Sequence, residues 1–163
     1  MKLRRWQQKV IDEFPEITKN YKKFILKAPT GAGKTVLASE IINRFYKNKK
    51  IVVLCHRLVL LEQLEKGLST DHKVKKLGLS EEGTPFENYD VLISTNLRSR
   101  DFLQNAIKHC DLLIIDEAHR VSPNGQAYKE LLDQFDKESA EQSKLLGLTA
   151  SPERRTGDQK DQL

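Results

Sequence analysis

One octapeptide constrains this chain more than any other stretch: Ala28-Pro29-Thr30-Gly31-Ala32-Gly33-Lys34-Thr35. Phe24-Ile25-Leu26 precedes it, short, apolar and partly β-branched, the pattern of a buried strand. Leu37, Ile41 and Phe45 follow at helical spacing, and Ala38 and Ile42 widen the same face. A strand that breaks at glycines and enters a helix aims successive N–H groups at one point. Together with the positive end of the helix dipole, those donors bind a phosphate chain. Gly31 and Gly33 permit backbone angles and close approach that a Cβ would block. Lys34 then supplies a point charge for the β- and γ-phosphates, and Thr35 a hydroxyl ligand for Mg²⁺. The general pattern has Gly where this chain has Ala28. The alternative is a Gly-rich strand-to-helix turn with a surface lysine, and the strand and helix on either side argue against it.

The chain has 163 residues, enough for one domain with a sizeable core. Charged residues make up 31% and hydrophobic ones 38%, which places it with globular rather than disordered sequences. A net charge of +5 is compatible with a nucleic-acid partner and equally with an ordinary solvated surface. Cys55 and Cys110 have no metal-ligand spacing and make no disulfide framework, so buried free thiols in a reducing, cytoplasmic compartment are expected. His56, His72, His109 and His119 likewise recur at no ligand spacing. The N-terminus carries charge but no apolar segment, so no secretory signal is expected. Apolar runs of four or five residues are too short to span a bilayer, and no membrane partner is expected.

In chain order, Trp6, Val10 and Phe14 make an apolar stripe that predicts a helix over 4–14, stopped by Pro15. Ile51-Val52-Val53-Leu54-Cys55 is a continuous apolar strand, as in a parallel sheet covered on both faces. Leu58, Leu61, Leu64 and Leu68 predict a helix. A weaker strand is expected over 74–79, followed by a polar connection over 80–88. Val91-Leu92-Ile93-Ser94-Thr95 reads as a strand, 96–109 as a helix, and Leu112-Leu113-Ile114-Ile115 as the most apolar strand. Tyr128, Leu131, Leu132 and Phe135 give a last helical face, and Leu145-Leu146-Gly147-Leu148 a last strand. Strands and helices alternate about six times, which predicts an α/β fold with a mostly parallel sheet and right-handed crossovers. Residues 1–152 form the expected domain, and 153–163 a polar tail that reads as the start of a linker.

In parallel sheets a ligand sits outside the carboxyl ends of the strands. Each polar cluster falls at such an end: the phosphate loop, His56-Arg57, Ser94-Thr95, Asp116-Glu117 and Thr149-Ala150-Ser151. Asp116, directly after an apolar strand, has the place of a carboxylate that holds Mg²⁺ opposite Thr35. Glu117 would orient and deprotonate the attacking water. Two adjacent acids at a strand end are costly to bury without a cation. Gln7, beside Trp6, can donate and accept at once, as an adenine edge requires, although a plain amphipathic helix would carry the same pair.

These motifs together resemble the first RecA-like domain of a superfamily 2 helicase or translocase of the DEAD/DEAH-box type, over nearly the whole chain, which implies a three-layer P-loop NTPase fold. The stretch from Ala28 to Thr35 resembles motif I, including its leading Ala, and implies ATP binding through Thr30, Gly31, Ala32, Gly33, Lys34 and Thr35. Asp116-Glu117-Ala118-His119 is similar to motif II as a DEAH box. Thr35 and Asp116 are thereby implied for Mg²⁺, Lys34 and Glu117 for hydrolysis. Thr149-Ala150-Ser151 resembles motif III, which implies, with His119, a link between ATP state and domain movement. Leu3-Arg4-Arg5-Trp6-Gln7 is similar to the adenine-recognising motif, with Gln7 its reader. Val53-Leu54-Cys55-His56-Arg57, with Gln63 beyond, resembles motif Ia, and Ile93-Ser94-Thr95 falls at motif Ib. The resemblance implies that His56, Arg57 and Thr95 touch a nucleic-acid backbone. The pattern is closer to restriction motors and repair translocases than to strict DEAD-box RNA helicases, which favours DNA over RNA.

The resemblance also implies a second RecA-like domain with arginine fingers, for which these residues have no room at about 150 residues per domain. A monomeric, weakly active ATP hydrolase is therefore expected. Two other readings stand beside it: a nucleotide-binding regulatory module without turnover, and a small P-loop kinase, which the lack of an arginine-rich lid disfavours.

Overall fold

In the computed structural model, residues 2–28, 33–55, 58–78, 80–94, 100–116 and 126–150 are described. The apolar runs become strands of one parallel sheet. In chain order the elements are α1 (Arg5–Asn20), β1 (Lys23–Ala28), α2 (Gly33–Phe45), β2 (Ile51–Leu54), α3 (Leu58–Gly67) and β3 (Val74–Lys76). There follow β4 (Val91–Ser94), α4 (Arg100–His109), β5 (Leu112–Asp116), α5 (Gln126–Glu138) and β6 (Lys144–Ala150). The strand order is β1-β6-β5-β2-β4-β3, and every described pairing is parallel. The expected three-layer α/β architecture of a RecA-like domain is thus present.

The period-2 alternation of strand side chains divides the core between two faces. Ile51, Val53, Leu112 and Ile114 pack under α1, α2 and α3, with Val10, Leu37 and Leu61. Val52, Leu54, Leu113 and Ile115 pack on the opposite face against α4 and α5, with Leu103 and Leu131. Strands buried on both faces have no room for alternating polar residues, which is why β2 and β5 are apolar throughout until Asp116. Both cysteines are free and buried, as expected.

The register fixes which strand ends share a rim. Ala28 is level with Ala150, Asp116 with Leu148, and Leu54 with both Ile115 and Ser94. These strand ends therefore lie along one rim of the sheet.

The first helix differs from expectation. It does not stop at Pro15 but runs through it to Asn20. A proline inside a helix forfeits only its own N–H and crowds the carbonyl four residues back. Neighbouring contacts outweigh that cost. Phe14 is 1% exposed, stacks on Phe45 at 4.9 Å between ring centres, and meets Phe24 edge-on at 5.8 Å. Beyond the proline, the Thr18 hydroxyl has the carbonyls of Phe14 and Pro15 within hydrogen-bonding reach, and the Tyr21 N–H closes the last turn on Ile17. The third strand is shorter than expected, ending at Lys76, although the Leu77 N–H still donates to Ile93 at 2.8 Å. Of the helix expected over 96–109, residues 96–99 lie outside the described residues.

Because Pro15 is exposed, Pro15→Ala should stabilise the fold by about 1–2 kcal/mol. The restored N–H bond outweighs the entropy that proline removes from the unfolded chain. Urea unfolding should show a higher midpoint at unchanged slope. A lower midpoint would mean that the proline itself shapes the helix.

Candidate nucleotide site

Three buried polar side chains meet above the ends of β1, β6 and β5. Lys34 and Thr35 lie in the first turn of α2, where backbone N–H groups have no partner within the helix. Asp116 is the last residue of β5. In the sheet, β6 alone separates β1 from β5, so a lysine just past β1 can reach over it. The Lys34 Nζ lies 3.3 Å from Asp116 Oδ1, with the two side chains 7% and 9% exposed. Two unlike charges so deeply placed each need the other, because leaving either one alone in a low-dielectric site costs several kcal/mol, roughly 3–5.

Thr35 and Asp116 line one small cavity of about 20 Å³, walled by Ala38, Val53, Cys55, Leu64, Ile114 and Leu148. A hydroxyl and a carboxylate beside one void are hard oxygen donors, the set that Mg²⁺ prefers. An ammonium at the same point suits the phosphates that accompany the ion. The residues present therefore fit a Mg²⁺–nucleotide. Asp116 is also felt electrostatically on the far wall. The Cys55 thiol is pushed up to about 12, first by burial and then by the Asp116 charge.

The start of α1 packs directly on the start of α2. Gln7 is 2% exposed, its Nε2 donates to the Gly33 carbonyl at 2.9 Å, and its Oε1 accepts the Arg4 N–H at 2.8 Å. A Cβ on Gly33 would lie 2.8 Å from Trp6 Cζ2 and 3.3 Å from Gln7 Nε2. The glycine admits α1 as a neighbour, a close approach that the sequence attributes to phosphate alone. Thr149 is buried on β6 between the phosphate-loop strand and the Asp116 strand, level with Lys27. Ala150 ends the same strand.

At the other part of the rim, β2 and β4 are parallel neighbours, and the Cys55 N–H donates to the Ser94 carbonyl at 3.0 Å. The chain thus reaches His56-Arg57 and Thr95 from adjacent points. His56, Arg57 and Thr95 themselves lie outside the described residues, as do Thr30, Gly31, Ala32, Glu117, His119 and Ser151. The structure adds Ala38 and Cys55 to the cavity wall. In sequence Ala38 reads as apolar core, and Cys55 as a buried thiol at the end of a strand, within the stretch that resembles motif Ia.

Residues 1–154 match the family described as type III restriction enzyme, res subunit. The chain is 31% identical to the ATP-dependent helicase IRC3 of Saccharomyces cerevisiae, covering 93% of this chain and 24% of that protein. It is 30% identical to the type I restriction enzyme EcoAI endonuclease subunit of Escherichia coli, covering 91% and 19%. The chain thus spans a quarter or less of these curated relatives. Among solved structures, the Hef helicase domain of Pyrococcus furiosus superposes with a TM-score of 0.62 at 25% identity, covering 95% of this chain and 36% of that one. The SWI2/SNF2 ATPase core of Sulfolobus solfataricus, solved with dsDNA, gives 0.65 at 19% identity, covering 93% and 32%.

Two outcomes test this geometry. Gln7→Ala strips the Gly33 carbonyl and the Arg4 N–H of their partner and should cost about 1–3 kcal/mol in urea unfolding. An unchanged midpoint would mean that α1 is held by packing alone. The thiols of Cys55 and Cys110, both pushed up to about 12 chiefly by burial, should ignore Ellman's reagent in the native chain and react in denaturant. Since burial favours the neutral thiols, their contribution to stability is complete below the ordinary value of 9.0 and is lost as pH rises towards 12. Prompt labelling of the native chain near neutral pH would contradict the buried placement.

Proposed function

The chain belongs to the type III restriction enzyme res-subunit family, a family of helicase-type ATPase motor domains, and from that membership we propose that it is the nucleotide-binding half of a DNA translocase or helicase. The observation that carries the reading is the buried Lys34–Asp116 pair beside Thr35. A lysine and a carboxylate paired with each other out of water are poised to separate when a triphosphate and its cation arrive. Lys34 then turns to the β- and γ-phosphates, assisted by backbone N–H groups of Thr30, Gly31, Ala32 and Gly33. Asp116 and Thr35, which line one cavity, would hold a Mg²⁺. When bound, that ion supplies positive charge to the phosphate oxygens. Glu117, one residue on, orients the attacking water and takes its proton.

Gln7 keeps one N–H and one lone pair beyond its two bonds, the complement that an adenine edge requires. His119, Thr149, Ala150 and Ser151 pass the nucleotide state to the rest of the motor. His56, Arg57 and Thr95, which follow β2 and β4 in the chain, hold backbone phosphates, which position a polymer without reading its sequence. DNA is preferred to RNA because of the restriction-enzyme and dsDNA-complexed relatives. Residues 1–152 are the motor domain and 153–163 lead to a second RecA-like domain, in keeping with the small share of the curated relatives that the chain covers.

That second domain would supply an arginine finger, typically worth about 10³–10⁵ in rate. The 163-residue chain should therefore bind Mg²⁺–ATP but release phosphate very slowly, and the two-domain protein should turn over quickly and respond to DNA. Lys34→Ala should abolish binding in calorimetry, and Glu117→Gln should bind but not hydrolyse. Equal nucleotide binding by the wild type and Lys34→Ala would overturn the site. Fast, DNA-stimulated turnover by the chain alone, lost in Glu117→Gln, would overturn the division of labour between two domains.

A further inference from the structure

One turn beyond Thr35 on α2, the buried Ser39 hydroxyl has two carbonyls within reach. Thr35 of its own helix is at 3.1 Å, and Leu64 of α3 is at 3.3 Å. A hydroxyl carries one proton and donates it to one acceptor at a time. At 3% exposure it has no ready solvent alternative. One further turn along α2, Asn43 grips the end of α3 with both ends of its amide. Its Nδ2 donates to the Gly67 carbonyl at 3.0 Å, and its Oδ1 accepts the Ser69 N–H at 2.8 Å. The helices meet here because position 67 has no side chain. A Cβ on Gly67 would lie 2.6 Å from Ser39 Oγ and 2.9 Å from Ser39 Cβ. Beside this junction a groove of about 350 Å³, lined by Thr35, Ser39 and Gln63 among others, leaves the two helices room to shift.

The two helices carry different tasks in the reading above, on which this inference rests. The first turn of α2 holds Lys34 and Thr35, and α3 begins immediately after His56-Arg57. We propose that Ser39, Asn43 and Gly67 form the joint through which the nucleotide state at Thr35 reaches α3 and thereby the DNA-contacting residues at its head. Coupling between sites requires an element with two arrangements that both sites bias. The single Ser39 proton, shared between the Thr35 and Leu64 carbonyls, is such an element. When Thr35 is drawn towards a bound cation, its carbonyl moves with the first turn of α2, and the proton passes to Leu64. Asn43 ties the C-terminal end of α3 to α2, so the change swings the head of α3 about that end. These three act on the reaction through other residues and are positioning residues.

The test is the DNA affinity of the chain with and without a slowly hydrolysed Mg²⁺–ATP analogue, read by anisotropy of a short labelled DNA duplex. For the wild type the nucleotide should change that affinity by about fivefold or more. Ser39→Ala and Asn43→Ala should bring the ratio close to one, while nucleotide binding without DNA, measured by calorimetry, stays at the wild-type level. Asn43→Asp keeps the acceptor for Ser69 and loses only the donor to Gly67, so it should fall between. If Ser39→Ala proves unfolded by circular dichroism, the Asn43 variants alone decide the matter. A role in packing alone would lower the melting temperature and leave the ratio untouched, and that result overturns the proposal. So does a wild type that binds nucleotide but whose DNA affinity is indifferent to it. A wild type that binds no nucleotide overturns the site reading instead.

Discussion

The arrangement depends on a buried ion pair spanning one strand. Lys34 and Asp116 come from different crossover units and meet because a single strand, β6, lies between β1 and β5. A parallel sheet places its strand ends on one rim. An apolar strand that ends abruptly in a carboxylate delivers that charge to the rim and nowhere else. Once there, the carboxylate is too deep to be left without a cation, and α2 is positioned to provide one. The same need is what makes the pair responsive to a ligand that brings both anion and cation.

Around that pair, close backbone approach is the recurring device. Gly33 lets Trp6 and Gln7 lie against the first turn of α2, and Gly67 lets Ser39 touch the end of α3. In both places a side-chain amide or hydroxyl finishes the junction by bonding a backbone carbonyl. The first turn of α2 is thus gripped by α1 from one side, and the second and third turns are gripped by α3 from another. The helix that presents the phosphate-loop lysine is thus held from two sides, as a preorganised binding element requires.

The sequence was legible wherever local chemistry and global position agreed. Residues 51–54 and 112–115 are apolar throughout, and only a strand covered on both faces has a use for that. Positions 37, 38, 41 and 42 repeat at helical spacing, and all four are buried. It misled at Pro15, where a local rule was outweighed by the stacking of Phe14 on Phe45, a contact thirty-one positions away that no local pattern reveals. The Ser39 and Asn43 junctions were equally invisible. Their partners are backbone carbonyls and N–H groups, which every residue possesses and which leave no signature in side-chain identity.

By itself the sequence determined the alternation of strands and helices, the phosphate loop and the acidic strand end, because each is written in residue types over a short span. Strand order was decided by tertiary structure alone. Nothing in the linear chain states that β6 lies between β1 and β5, or that β2 is flanked by β4 and β5. That order follows from which apolar faces can be buried together with right-handed crossovers, a property of the whole sheet. It is also what turns Lys34 and Asp116, eighty-two positions apart in the chain, into neighbours at 3.3 Å.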